Sequence, residues 1–533
     1  MYPRVFRPLR TALVTALLAT VLAAGPGTAA AQGGEVITTA SGQLQGTAPD
    51  ANGVSAYRGI PYAAPPTGML RWKSPQPVPR WGGIRQATTP GPACYGSNQP
   101  GAPAVPMSED CLTLNIWSPP RGKQPKAVMV WLHGGGFQFG SGSDPKYDGA
   151  ALAARGVLVV NVNYRLGAFG FLAHPDLDKE AGASGGYGLQ DQIAALRWIQ
   201  QNIASFGGNP GNVTLFGESA GAHAVGLLMS SPQAAGLFSK AIAQSGAFWD
   251  NQTGSIPTHT EALTQGKALA ARLNTPTADG LRAIPATQLN TASTTGAPFG
   301  PSIDGQVLTD SPAAVFARGQ QQRVPLLAGY TAAENFPIFD PFALPHATPT
   351  EFKAAAEKLF GAGRTPEFNT LYPSTTPAQT DASAEQLIGD MAITEQTWEM
   401  LGLHQRTSSR DVYAYKFTYT SPYSPVAAHV SDVPFVFGNL LPQYFAPTAP
   451  AATTADRAFS HTVMAYWTNF ATRGNPNGTG LTTWPTYQGS GSNFMDLSAT
   501  PAAVAEPDTA RLRFIASFRD NGRFPAAWRT AGN

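Results

Sequence analysis

Cysteine is almost absent: the 533-residue chain contains two, Cys94 and Cys111. The stretch between them carries no histidine, so a four-ligand zinc site there is excluded. Charge is scarce too. Charged residues make up 13% of the chain, and Lys plus Arg exceed Asp plus Glu by only two. No basic field exists that would bind nucleic acid by counterion release. Long apolar runs are missing as well. The longest candidate, residues 11–24, falls short of the roughly 20 apolar residues that a membrane span requires. Arg4, Arg7 and Arg10 precede it and Ala29-Ala30-Ala31 follow, the layout of a secretory signal cut after Ala31. The expectation is therefore an exported chain of residues 32–533, secreted or held in a periplasm or at a cell surface. Its two cysteines are expected to pair as a structural staple contributing about 3 kcal/mol.

What is present is globular. Apolar residues reach 43%, and 56 Gly with 47 Pro stay below low-complexity proportions. Residues 128–132, 157–162, 213–216, 324–328 and 412–418 are short β-rich apolar runs, as expected of buried strands. Between them lie helical patterns such as 191–204, where Ile193, Leu196, Ile199 and Ile203 recur three or four apart. This alternation predicts an α/β fold: a large, mostly parallel sheet covered by helices. No internal repeat or long linker divides it, so residues 32–533 are read as one domain. Stretches 275–298 and 341–383 read as partly helical insertions over the site.

Two segments match Gly-x-Ser-x-Gly, a pattern that needs a strand before it and a helix after it. Gly182-Ala183-Ser184-Gly185-Gly186 follows the polar run Asp176 to Glu180 and is assigned to a loop. Gly217-Glu218-Ser219-Ala220-Gly221 follows Val213-Thr214-Leu215-Phe216 and precedes a helical run through Val225 and Leu227. A serine hydroxyl is a poor nucleophile unless it is exposed on a sharp turn beside a base. Ser219 is the candidate nucleophile, with the Ala220 N–H at a helix start able to stabilise an oxyanion. His133-Gly134-Gly135-Gly136-Phe137, directly after the strand ending at Leu132, supplies the second set of convergent N–H donors.

Eight histidines compete for the base. The order nucleophile, acid, histidine removes His133, His174 and His223. His429 lies in a loop after the strand 412–418. His461 sits at helical spacing beside Met464 and Trp467, a packing position, and His259, His346 and His404 carry no supporting context. For the acid, Glu334 follows the strand 324–328, where a site in an open α/β sheet belongs. Asp432, three residues from His429, is the runner-up.

Taken together these residues resemble the type B carboxylesterase and cholinesterase family of the α/β-hydrolase fold. The resemblance extends over nearly all of 32–533. It includes Gly59-Ile60-Pro61-Tyr62-Ala63, Glu109-Asp110-Cys111-Leu112, Asn163-Tyr164-Arg165-Leu166-Gly167 and Phe206-Gly207-Gly208-Asn209-Pro210. Further matches are Asp304-Gly305 and Trp467-Thr468-Asn469-Phe470-Ala471. It implies Ser219, Glu334 and His429 as a catalytic triad, with Gly135, Gly136 and Ala220 as oxyanion donors. It further implies that Ser245 hydrogen-bonds the acid and that Glu218 lies beside the nucleophile. Arg58 with Glu109 and Arg165 with Asp191 would be structural ion pairs, and Cys94–Cys111 the first disulfide.

Two departures bear on substrate. The family's cholinesterases hold choline on a tryptophan in the first disulfide loop, whereas residues 95–110 contain none, which disfavours choline esters. After Asp304-Gly305 the chain reads Gln306-Val307-Leu308, aliphatic where cholinesterases carry phenylalanine, which suggests a roomier acyl pocket. Trp249 is assigned either to that pocket or beneath it. The function expected is a secreted serine carboxylesterase acting on small-molecule esters through an acyl-enzyme, with no cofactor and no metal. The alternatives are an inactive cholinesterase-like binding module and a lipase working at lipid interfaces.

Overall fold

The computed structural model describes residues 33–96, 105–248, 256–334, 348–442, 448–489, 491, 493–519 and 525. The expected signal segment 1–31 and Trp249 lie outside the described residues. Among the described residues ten strands form one sheet: β1 (Ser55–Pro61), β2 (Thr113–Ser118), β3 (Lys126–Leu132), β4 (Leu158–Val162), β5 (Gly208–Glu218), β6 (Lys240–Gln244), β7 (Leu326–Thr331), β8 (Val412–Phe417), β9 (Asn493–Leu497) and β10 (Ala502–Ala505). Their spatial order is β10-β9-β8-β7-β6-β5-β3-β4-β2-β1. Every pairing from β4 to β9 is parallel; β1, β2 and β10 join antiparallel at the edges. This is the α/β-hydrolase fold.

The central strands are buried on both faces, so their apolar runs are continuous and successive side chains part to opposite sides. Val128, Val130 and Leu132 of β3 join one core, with Val160, Val213 and Leu215. Met129 and Trp131 of the same strand join the other, with Val159 and Phe216. Helices α1 (Tyr187–Asn202) and α2 (Ala220–Ser230) cover the first face. Two further helices, α3 (Pro377–Gly389) and α4 (Glu395–Ser408), are joined by a π-helical turn, Asp390–Thr394. Helix α5 (Thr454–Arg473) covers the second face through Val463, Trp467 and Phe470. The insertion helices Pro349–Phe360, Thr365–Leu371 and α3 pack on Phe514 and Ile515 of α6 (Thr509–Ala516), making a third apolar cluster.

Boundaries moved where backbone chemistry required it. β7 starts at Leu326 rather than 324, because Pro325 has no N–H to give the ladder and only its carbonyl is used, by Ala241. β5 runs on through Gly217 and Glu218, paired with Leu132 and Gln244. α1 starts at Tyr187 and passes after Asn202 into a single 3-10 turn closed by Gly207 at φ 88°. Among the described residues, no helix is long and apolar enough to cross a membrane.

Cys94 and Cys111 are joined in a disulfide. The expected pair of Arg58 with Glu109 does not form. Arg71 takes Glu109 instead, with two contacts of 2.7 and 2.6 Å, and its remaining N–H groups reach the carbonyls of Leu281, Arg282 and Ile284. Glu109 thus anchors the disulfide loop to the insertion, which gives a fork-shaped guanidinium more acceptors than a single carboxylate. Arg58 pairs with Asp148 at 3.2 Å. Arg165 and Asp191 do pair, at 2.7 Å and buried.

Candidate active site

Parallel pairing in register sets the carboxyl ends of β3, β5, β6 and β7 side by side: Leu132 beside Gly217, Glu218 beside Gln244, Gln244 beside Gly329. The next residues of each strand therefore meet at one edge, the expected place for a site in an open parallel sheet. After β5 the chain turns sharply at Ser219, with φ 55° and ψ −124°, and enters α2 at Ala220. Such a backbone conformation is costly for a non-glycine residue and is held here by its surroundings. The Ser219 N–H donates to the Gln244 carbonyl at 2.9 Å, and the Ser219 carbonyl accepts the His223 N–H at 2.9 Å. Gly221 lets the helix sit directly on β3, since a Cβ there would lie 1.9 Å from the Leu132 carbonyl oxygen. Ser184, by contrast, lies in a loop after the helix Pro175–Ala181, and its hydroxyl donates to Asp178 at 2.5 Å.

Beyond β6, Ser245 has φ 55°, and its hydroxyl donates to Glu334 Oε1 at 2.6 Å. Glu334 comes three residues after β7, and the Thr331 N–H donates to the same oxygen at 2.6 Å. Its other oxygen lies 2.5 Å from His429 Nδ1. An N–H at Nδ1 donating to that carboxylate leaves Nε2 as the basic nitrogen. The His429 loop is tied to the acid's loop by a bridge between Ala333 and Ala428, and by the Ala333 N–H donating to Ala427. Val430, beside the histidine, has φ 67°, a genuine strain for a β-branched residue.

The glycine loop after β3 completes the edge. Gly135 has φ 112°, and a Cβ there would lie 2.2 Å from the Phe139 carbonyl oxygen, so only glycine permits this turn. The neighbouring Gly134 faces the elbow, its Cβ position being 3.1 Å from Ser219 Cβ. Gln138 braces the loop by donating to the Gly136 carbonyl at 3.2 Å and to that of Phe299. Ala220 opens α2, so its N–H is among the leading donors that have no acceptor within the helix. Among the described residues, no group of three or more His, Cys, Asp or Glu side chains is placed to hold a metal ion.

Three buried carboxylates surround the imidazole, and of these Glu334 is the one held below its ordinary value. Burial pulls Glu334 upward, but His429 and the bonds from Ser245 and Thr331 hold it below its ordinary value. Glu218 Oε1 lies 3.3 Å from His429 Nε2, and burial with repulsion from Asp432 and Glu334 pushes Glu218 up to about 8. Burial alone would lower His429; Glu218 and Glu334 outweigh it and push the imidazole up to about 9. Asp432, pushed up to about 6 by burial, accepts from Tyr415 at 2.8 Å and from Gln244 at 3.0 Å. It stands behind the histidine on the sheet side and makes no bond to it, so the runner-up acid has a supporting place. Gln244 in turn accepts from Trp467 at 3.0 Å. His223, which chain order set aside, accepts the Ala247 N–H at 3.1 Å, and burial lowers it to about 3. The sequence offered no signal for this buried wiring beyond Asp432 lying three residues after His429.

The aliphatic segment is placed otherwise than expected. Val307 and Leu308 are core residues whose N–H groups donate to Asp304, Val307 lies against Gly186, and Gln306 donates to the Ala181 carbonyl. They brace the loop of the Ser184 copy of Gly-x-Ser-x-Gly, because Asp304 gathers three successive N–H groups into a tight turn. The residue of this region bonded to the glycine loop is Phe299.

Comparison with known proteins agrees with this architecture. Residues 33–515 match the model of the carboxylesterase family. The chain is 38% identical to a fumonisin B1 esterase of Sphingopyxis macrogoltabida, over 84% of each protein. It is 36% identical to a para-nitrobenzyl esterase of Bacillus subtilis, over 85% of this chain and 92% of the relative. A mouse cholinesterase is 33% identical over 88% of this chain and 84% of its own length. Among solved structures, a carboxylesterase of Geobacillus stearothermophilus superposes with a TM-score of 0.76 at 33% identity, covering 90% of this chain and 99% of that one. The glycine loop, the serine elbow and the buried Glu334–His429 contact thus sit on a chain that belongs to the carboxylesterase family, a carboxylic ester hydrolase with the α/β-hydrolase fold.

Proposed function

We propose that this carboxylesterase is an exported serine hydrolase whose triad is Ser219, His429 and Glu334, within one domain spanning 32–533. The observation that carries the reading is the 2.5 Å contact of Glu334 with His429 Nδ1 at the same sheet edge as the strained Ser219 turn. His429 Nε2 takes the Ser219 hydroxyl proton as Oγ attacks the ester carbonyl. The N–H groups of Gly135, Gly136 and Ala220 receive the charge that develops on the carbonyl oxygen, where preorganised donors contribute most. His429 returns its proton to the departing alkoxide, leaving an acyl-enzyme on Ser219. Water, deprotonated by His429, then attacks that acyl group, releases the acid and restores Ser219. Glu334 orients the imidazole and stabilises the imidazolium without taking its proton.

Small esters of uncharged alcohols suit the site better than choline esters, since the disulfide loop lacks a tryptophan. Export rests on the amino-terminal layout alone. The test is hydrolysis of p-nitrophenyl esters from acetate to palmitate, combined with labelling by an organophosphate. Turnover with covalent label on Ser219 supports the reading, and an optimum at short acyl chains separates an esterase from a lipase. A folded protein that neither turns over nor takes label would instead be a binding module.

A further inference from the structure

The Gly389 backbone lies against the acid. A Cβ built on Gly389 would stand 3.0 Å from the Glu334 carbonyl carbon and 3.1 Å from Glu334 Cβ, closer than side chains ordinarily pack. Gly389 ends α3, and the chain then widens into the π-helical turn Asp390–Thr394 before α4 begins. Such a turn inserts a residue into the helix and shifts the faces on either side of it. Here the two shifted faces grip two parts of the site. On the α3 side Gly389 abuts Glu334. On the α4 side the Gln396 side-chain carbonyl accepts the Phe248 N–H at 2.9 Å, holding the segment that begins with Ser245, the hydroxyl donor to Glu334.

The turn is itself clamped. Asp390 is fully buried and accepts from Gln386 at 2.9 Å, Tyr372 at 2.9 Å and Arg511 at 2.7 Å. Arg511 belongs to α6 and also bonds Asp508, which pairs with Lys416 of β8. The clamp therefore runs from a sheet strand through three ion pairs to the turn.

We propose that Gly389 and the π-helical turn it opens are positioning residues for this reaction, fixing Glu334 against His429 by backbone contact rather than by a polar bond. This rests on the reading of Glu334 as the triad acid. Alanine has the higher intrinsic helix propensity, so Gly389→Ala would favour α3 wherever space allowed. The available space predicts the opposite effect on the acid, which must give way by a few tenths of an ångström. Misplacement of that order weakens catalysis without removing any reacting group.

The experiment compares Gly389→Ala, Asp390→Asn and Glu334→Gln by kcat, KM, melting temperature and the pH dependence of kcat/KM on p-nitrophenyl acetate. Gly389→Ala is expected to lower kcat on the order of tenfold with KM within about twofold and melting little changed. Its acid limb is expected to move to lower pH, because His429, which faces Glu218, Glu334 and Asp432, loses part of one carboxylate's pull. Asp390→Asn, which loosens the clamp, shifts the same limb by less. An unchanged kcat and limb in Gly389→Ala, with Glu334→Gln inactive, overturns the inference and leaves the triad standing. A kcat loss that tracks melting, with no movement of the limb, also overturns it. Full activity in Glu334→Gln overturns the triad reading itself.

Discussion

Ser184 and Ser219 occupy the same five-residue pattern in opposite surroundings. Around Ser184 stand all three residue types of a triad: Ser184 donates to Asp178 at 2.5 Å, and Asp178 lies 2.8 Å from His259 Nε2. The carboxylate stands in the middle. Both of its oxygens are engaged, the histidine bonds the acid and not the serine, and the Ser184 oxygen also accepts the His174 N–H at 3.0 Å. A hydroxyl donating to a carboxylate is satisfied rather than activated. Near Ser219 the Glu334 carboxylate engages His429 at Nδ1, which in the proposed triad leaves Nε2 to the serine, and Ser219 sits on a strained turn at a helix start. Residue types are shared by both places; the acid-to-histidine contact through Nδ1 and the strained backbone that presents the serine are found only at the second.

Breaking the comparison at its centre gives the largest effect. Ser219→Ala is expected to reduce kcat on p-nitrophenyl acetate by about 10⁴-fold or more, while Ser184→Ala stays within about twofold. Comparable losses in both variants would end the distinction. The acids sharpen it next: Glu334→Gln should cost about 10³- to 10⁴-fold in kcat, because the imidazole loses its orienting acceptor. Asp178→Asn should keep kcat and lower the melting temperature by about 1–2 °C, as expected for a structural bond.

Glycines separate the two copies in stability. Gly221→Ala drives a Cβ into the Leu132 carbonyl and is expected to destabilise by about 1–3 kcal/mol, read from denaturant midpoints. Gly182→Ala meets only the end of the Gln306 side chain, so its smaller loss comes from the φ of 83°. The smallest effect is on pH. His429 must be neutral to accept the serine proton, and its raised value places the acid limb of kcat/KM above that of an ordinary imidazole. Glu218→Gln removes the largest upward pull, so the limb should move to lower pH; a move upward would remove Glu218 from the imidazole's environment.

The strands that position the site were legible because parallel strands buried on both faces read as unbroken apolar runs, as in Val128 to Leu132. β6 was not, since Lys240-Ala241-Ile242-Ala243-Gln244 is rich in alanine and weak in β-propensity, and only its neighbours β5 and β7 make it a strand. Glu334 and His429, 95 residues apart, could be singled out as acid and base by a strand end and by chain order, with Asp432 as the runner-up acid. Arg71 could not be chosen over Arg58 as the partner of Glu109, because ion-pair choice depends on which backbone carbonyls stand nearby. The place of 306–308 was misread for a similar reason: their aliphatic character fits a pocket wall and a core equally well.

By itself the sequence determined the sheet's central strands other than β6, the serine elbow, the glycine loop and the pairing of its two cysteines, all of which follow from local patterning or from counting. The tertiary structure alone decided that Glu334 meets His429 while Asp432 stands behind it among Tyr415 and Gln244. It alone placed Gly389 against the acid. The physical reason is one of range. Periodicity and turn chemistry act over a few residues, whereas a buried carboxylate's partners are fixed by which strand ends the sheet register brings together.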